Sequence, residues 1–292
     1  LGVLINFTPA FAKFIPDEDI KNKLQRFSAE NANMTQQEFN QAMDTAQQIY
    51  GPIISSLGGR LNIRGDWNDD TPNASAQQFF GTWMVNMYGG LARHPEMTLD
   101  GFHMVICHEL GHHLAGYPFT GGGFGGVWAA NEGQSDYFAA QVCAPKLWGE
   151  DHDTNATFRP GVHPTVAQAC DSTWSTEQEQ NLCYRISAAA ESLARTLSAL
   201  KEDPVMPAFD TPDANKVAVT DNKHPQAQCR MDTTFAAALC TSPHDEMLIP
   251  GKAVSGGPNS TDAEREASLN SCMEISNFTE GLRPRCWFHP QI

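Results

Sequence analysis

The chain contains no Cys-x-x-Cys pair, no apolar run approaching the roughly 20 residues that a transmembrane helix requires, and few basic residues. Lys and Arg number 19 against 34 Asp and Glu in 292 residues, a formal net charge of -15. Each shortage excludes something. Without a Lys/Arg surplus there is no face for nucleic acid or for an anionic membrane surface. Without a long apolar run there is no integral membrane segment. The chain opens at Leu1 with no basic stretch followed by an apolar one, so any export signal is expected to have been removed or to lie outside this sequence. No internal repeat is visible. With 41% hydrophobic residues, residues 1–292 are expected to form a single domain, with a core over about 35–241 and a Gly/Ser/Pro-rich C-terminal wrap over 242–292 stapled by a disulfide.

Eight cysteines, at 107, 143, 170, 183, 229, 240, 272 and 286, make an even set that favours disulfides over thiolate metal sites. That points outside the cytosol. Short separations suggest the pairs Cys170–Cys183, Cys229–Cys240 and Cys272–Cys286, leaving Cys107 with Cys143, although about 105 connectivities are open. Six Asn-x-Ser/Thr sequons, at Asn6, Asn33, Asn73, Asn155, Asn259 and Asn277, would matter only in a eukaryotic secretory pathway.

Hydrophobic periodicity predicts a helix over 35–50, carrying Phe39, Met43, Ala46 and Tyr50 on one face and stopping at Gly51-Pro52. Leu61–Arg64 alternates like a strand, 66–75 is turn-rich, and Phe79–Tyr88 reads as a second strand ended by Gly89-Gly90. Thr98 is the expected N-cap of a helix that runs to a stop at Gly116. A glycine-rich loop over Thr120–Gly126 then leads to helices over about 129–144 and 177–201. A long loop from Glu202 to Pro225 precedes a last segment around 224–240.

Within the Thr98 helix lies His108-Glu-Leu-Gly-His112. Spacing of i and i+4 puts the two imidazoles on one helix face about 6 Å apart, where both can reach one tetrahedral Zn²⁺. Glu109 stands beside that face, placed to take a proton from the attacking water and pass it to the leaving amine. A catalytic zinc needs a third protein ligand and one open position. Glu132, in Asn131-Glu-Gly-Gln-Ser-Asp136 on the next predicted helix, fits that role. Asp136 follows by one turn on the same face and is expected to hold the second ring N–H of a ligating His. The neighbouring His113 and His103 point elsewhere on the helix and read as structural or solvent-facing.

HELGH followed by NExxSD resembles the gluzincin metallopeptidases, with a His112-to-Glu132 interval similar to that of thermolysin-like enzymes. Asn73-Ala-Ser-Ala76, a strand ending in Gly89-Gly90-Leu91, the motif helix and His224-Pro225-x4-Arg230 resemble the HtpX-like and CAAX-prenyl-protease-like peptidases. The resemblance spans about residues 60 to 240. It departs in lacking transmembrane helices and in a shorter interval to Glu132. It implies an α+β fold, mainly helical and zincin-like, with a small mixed sheet whose edge strand precedes the HExxH helix. It further implies that Trp83, Met84, Val85 and Asn86 on that strand bind an extended peptide through backbone hydrogen bonds. His224 or Arg230 would stabilise the oxyanion, or His224 would fill the open zinc position in a latent state.

The expected function is therefore that of a secreted or periplasmic endopeptidase with one Zn²⁺ per chain, acting on peptide or protein substrates. Two alternatives stay open: a latent zinc-containing binding or chaperone module with little turnover, and a metallohydrolase acting on a non-peptide bond.

Overall fold

A computed structural model describes residues 11–21, 27–120 and 126–292. Asn6 and most of the glycine-rich loop, residues 121–125, lie outside the described residues. In chain order the elements that position the site are β1 (Phe11–Lys13), α1 (Gln36–Ser56), β2 (Arg60–Asp66), β3 (Ala74–Phe79), β4 (Thr82–Tyr88), the single turn α2 (Gly89–Ala92) and α3 (Leu99–Leu114). A two-stranded ribbon, β5 (Phe119–Thr120) with β6 (Ala129–Ala130), then leads into α4 (Glu132–Phe138). The rest is helical: α5 (Ala144–Trp148), α6 (His152–Ala156), α7 (Pro164–Thr173), α8 (Glu177–Lys201), α9 (Ala227–Ala238) and α10 (Thr261–Ala267). The larger sheet runs β1-β3-β4-β2, with β2 parallel to β4 and the other neighbours antiparallel. The fold class is thus α+β with a small mixed sheet. Among the described residues no helix is long and apolar enough to cross a membrane.

Local chemistry accounts for the helix starts. Thr35 and Thr176 each accept from the backbone N–H three residues on while Glu38 and Glu179 reach back, two capping boxes that open α1 and α8. Thr98 accepts from Gly101 N at the start of α3. Phe39, Met43, Ala46 and Tyr50 are all buried, but α1 does not stop at Gly51-Pro52: it continues to Ser56. Burying Ile54 in that extra turn recovers roughly 1.5–3 kcal/mol, comparable with the ~3 kcal/mol that an interior proline costs. Gln47 on the same helix donates to Leu61 O and accepts from Ile63 N, so a side-chain amide serves the outer edge of β2.

The expected strand over 79–88 is instead the second half of a hairpin. Phe80 and Gly81 both adopt positive φ, 46° and 74°, the primed turn whose twist matches the flanking strands. Ala74–Phe79 pairs with Thr82–Met87 in register. This places β4 between β2 and β3, so it is not an edge strand, and Trp83, Met84, Val85 and Asn86 cannot offer a free backbone to a peptide. Trp83 and Val85 are buried, Met84 O faces the His113 ring, and Asn86 donates to Ser75 Oγ. The strand bordering the site is β3, and its outer side carries β1.

The second motif helix begins later than periodicity suggests. Ala129 and Ala130 are in β6, Asn131 accepts from Gln134 N as N-cap, and helix runs from Glu132 through a π turn at Ala139–Cys143 to Trp148. Gly111 lets α3 and α4 touch: a Cβ there would stand 2.9 Å from Ser135 Cα. A disulfide between Cys107 and Cys143 ties the same two helical segments together.

Cys107–Cys143 and Cys170–Cys183 match the expected pairs, whereas the other two are Cys229–Cys286 and Cys240–Cys272. The reason is α9. Residue 229 lies in its first turn and 240 two residues past its end, and the helix from 229 to 238 alone spans roughly 13 Å, beyond the ~7 Å limit for a disulfide. Both ends of α9 are therefore stapled to the C-terminal segment. Part of that segment reaches the core: Trp287 is fully buried, and a Cβ on Gly133 would stand 2.2 Å from its ring. Four disulfides fit an oxidising, extracytoplasmic compartment.

Candidate metal centre

α3 and α4 bring His108, His112 and Glu132 to one point, with a ligand atom from each within 4.8 Å of the others. His108 Nε2 lies 3.3 Å from Glu132 Oε2, and His112 Nε2 lies 3.6 Å from Glu132 Oε1. A tetrahedral ion with ligand bonds near 2.0–2.1 Å separates its ligands by roughly 3.4 Å. The spacing fits.

The ring orientations are fixed from behind. His108 Nδ1 donates to Asp136 Oδ1 at 2.7 Å. His112 Nδ1 donates to Ala130 O at 2.8 Å and lies 3.0 Å from Ser135 Oγ, whose own proton goes to Asn131 O. With both Nδ1 atoms occupied as donors, Nε2 is the nitrogen that each ring turns toward the common point. His108 Nε2, His112 Nε2, Glu132 Oε2 and both carboxylate oxygens of Glu109 are buried with no hydrogen-bond partner among the described residues. Buried polar atoms left without partners cost about 1–3 kcal/mol each, so five in one cluster mark a place built for something outside the chain. These residues could hold a metal ion.

The charges are strongly coupled. Burial pushes the Glu109 carboxyl up to about 8, helped by the negative charges of Glu132 and Asp136 and opposed by His108 and Arg230. Burial lowers His112 to about 4. Burial also acts against the His108 imidazolium, but the Asp136 carboxylate outweighs it and lifts that ring to about 9. Glu132 is held well below the usual carboxylate range by His224, His112 and His108 despite its burial.

Arg230 is not at the open side of the centre. It is buried, donates through Nε and Nη2 to both oxygens of Asp136 at 2.7 Å, and gives Nη1 to Phe14 O. Buried behind Asp136 and held there through all three nitrogens, it steadies Asp136, and through it His108, rather than facing a substrate. His224 does face the centre. Its Nε2 donates to Lys13 O at 2.6 Å and lies 3.2 Å from Glu132 Oε1.

Glu132 and His224 line a cavity of about 350 Å³ together with Trp128, Ala129, Asn222 and the segment from Ala12 to Glu18. His113 is buried between the faces of Trp83 and Trp128, and it fixes Trp128 as the wall of that cavity. His103 bonds Leu99 O within α3. The second cluster with metal-ligand chemistry, Asp213 with Cys229 and Cys286, has its sulfurs in a disulfide.

Sequence reasoning missed Asn73, Ser135 and the 11–18 segment. Asn73 accepts from Ile15 N and donates to Ile15 O, a side-chain clamp on one residue's backbone. Its only trace in the sequence is its place in the Asn73–Ala76 motif. In comparisons with protein-family models, curated proteins and solved structures, nothing matches this chain.

Proposed function

We propose that the chain is an extracytoplasmic zinc metallopeptidase of the zincin-like, gluzincin type, hydrolysing peptide bonds of extended polypeptide. The observation that carries this reading is the set of unpartnered buried ligand atoms on His108, His112 and Glu132 beside the equally unpartnered carboxylate of Glu109. A structural metal site would have no use for that carboxylate. Two imidazoles and one carboxylate suit zinc, three protein ligands leaving a fourth position for water, and the metal would supply the Lewis acidity that makes that water nucleophilic near pH 7.

The chain's own groups do the rest. Glu109 accepts the proton of the attacking water and returns it to the departing amine. His224 Nε2–H already donates to a backbone carbonyl, which is the contact a substrate carbonyl would need as negative charge grows on its oxygen. Asp136 and Arg230 hold His108 in the ligating tautomer.

The same Lys13 carbonyl on His224 also favours a second reading, a latent zinc-containing module with little turnover. One experiment separates them: zinc stoichiometry and casein hydrolysis on the wild type, Glu109→Gln and Glu132→Ala. The peptidase reading expects one zinc per wild-type chain. It expects Glu109→Gln to keep the metal while losing roughly 10²–10⁴-fold in rate, and Glu132→Ala to lose metal affinity. Equal metal loss in both variants contradicts the assigned roles, and zinc without wild-type turnover favours the latent module.

A further inference from the structure

A peptide lying against a sheet edge needs that edge free, and here the edge nearest the metal centre is taken by the chain itself. β1 runs antiparallel to β3 with Phe11, Ala12 and Lys13 opposite Gln77, Ala76 and Ser75. Phe14 N donates to Ala74 O, which makes 14 and 74 a hydrogen-bonded pair. The alternation of antiparallel ladders makes 12 and 76 the next one. The Ala12 side chain packs on the cluster of Ala76, Trp128 and Ala129 that walls the cavity. Lys13 O is hydrogen-bonded by His224, the same donor that faces the metal ligands. In ladder position and carbonyl contact, residues 11–14 sit where an extended substrate would sit.

Among the described residues the segment is anchored at its C-terminal end. Phe14 and Ile15 are fully buried, with the Phe14 ring under the Arg230 guanidinium and edge-on to His108, and Asn73 clamps Ile15. Ala12 is partly buried and the Lys13 side chain is 43% exposed, its ammonium paired, among the described residues, with Asp17 on the same segment. We infer that residues 11–13 are an autoinhibitory strand, hinged at the Phe14–Ile15 anchor, that must lift from β3 before an extended polypeptide can reach His224 and the metal ligands. This inference rests on the peptidase reading of the same site.

The test uses the full chain with Glu109→Gln, in which turnover is expected to be slow, with and without Ala12→Pro. Proline removes the N–H that the 12–76 pair requires and leaves the buried anchor in place. Hydrogen exchange at the Ala76 amide reports lifting of the strand. Anisotropy of fluorescein-labelled casein reports access to the groove. We expect faster exchange at Ala76 and about tenfold tighter casein binding, the gain that follows when a state open a tenth of the time becomes the main one. Faster exchange with unchanged casein affinity would overturn the proposal.

Should the proline variant fail to fold, Ala12→Asp sets a charge against Trp128 and Ala129 and is read in the same way. Restoring Glu109 separates the two hypotheses. Tighter casein binding with no cleavage by either chain would sink the peptidase reading and leave the strand's role standing. Equal cleavage by both chains, with Ala76 exposed only in the variant, would sink the strand and leave the peptidase.

Discussion

The two walls of the metal centre are held by different kinds of interaction. On the helical side, α3 and α4 are tied by Cys107–Cys143, meet at Gly111 and Ser135, and have Arg230 and Asp136 buried behind His108. On the sheet side, β3 meets β1 through backbone hydrogen bonds, an amide clamp and a half-exposed lysine segment. Covalent and buried ionic contacts keep ligand atoms within a few tenths of an ångström of a metal's needs. Ladder hydrogen bonds, each worth about 0.5–1.5 kcal/mol net, can be exchanged for those of another strand. Permanence sits where the ion would bind, and exchangeability where a substrate would.

Three substitutions probe that contrast. Arg230→Ala should have the largest effect, because it leaves Asp136 buried without its partner: a loss of about 3–5 kcal/mol of stability. The same change should weaken metal binding roughly 10–100-fold, measured by chemical denaturation and zinc competition. If zinc affinity survives while stability falls, Arg230 supports the fold and not the ligand. On the sheet side, Asn73→Ala removes both bonds to Ile15 and should cost about 1–3 kcal/mol. It should speed exchange at Ile15 and leave zinc affinity unchanged, and an equal drop in zinc affinity would erase the distinction between the walls. Smallest is the hairpin tip. Phe80 is 90% exposed with positive φ, so Phe80→Asn should stabilise the protein by roughly 1 kcal/mol, visible as a rise in melting temperature.

The helical wall was the more legible in sequence, and for a physical reason. Ligand pairs at i and i+4, a capping threonine at Thr98 and the interval to Glu132 are local patterns that a helix turns directly into geometry. The sheet wall depends on which strand pairs with which, and Ala74–Phe79 has neither β-branched residues nor clean alternation to announce it. Missing β3 made β4 look like the edge. Arg230 was misplaced because a motif names a residue and says nothing of where its side chain goes; burial against Asp136 decides that. The two disulfides of α9 were misread from sequence nearness, which a helix converts into distance.

Trp287 closing over Gly133 has a consequence for the order of events in the life of the chain. A growing polypeptide carries both histidines and Glu132 long before it carries the tryptophan that packs against the residue following that glutamate. It also lacks, until then, the cysteines that lock both ends of α9, the helix bearing Arg230. A nascent chain can thus display every ligand while missing the backing that aligns them. Alignment of these groups waits until residues 272–287 have been made and is sealed by oxidation of their cysteines.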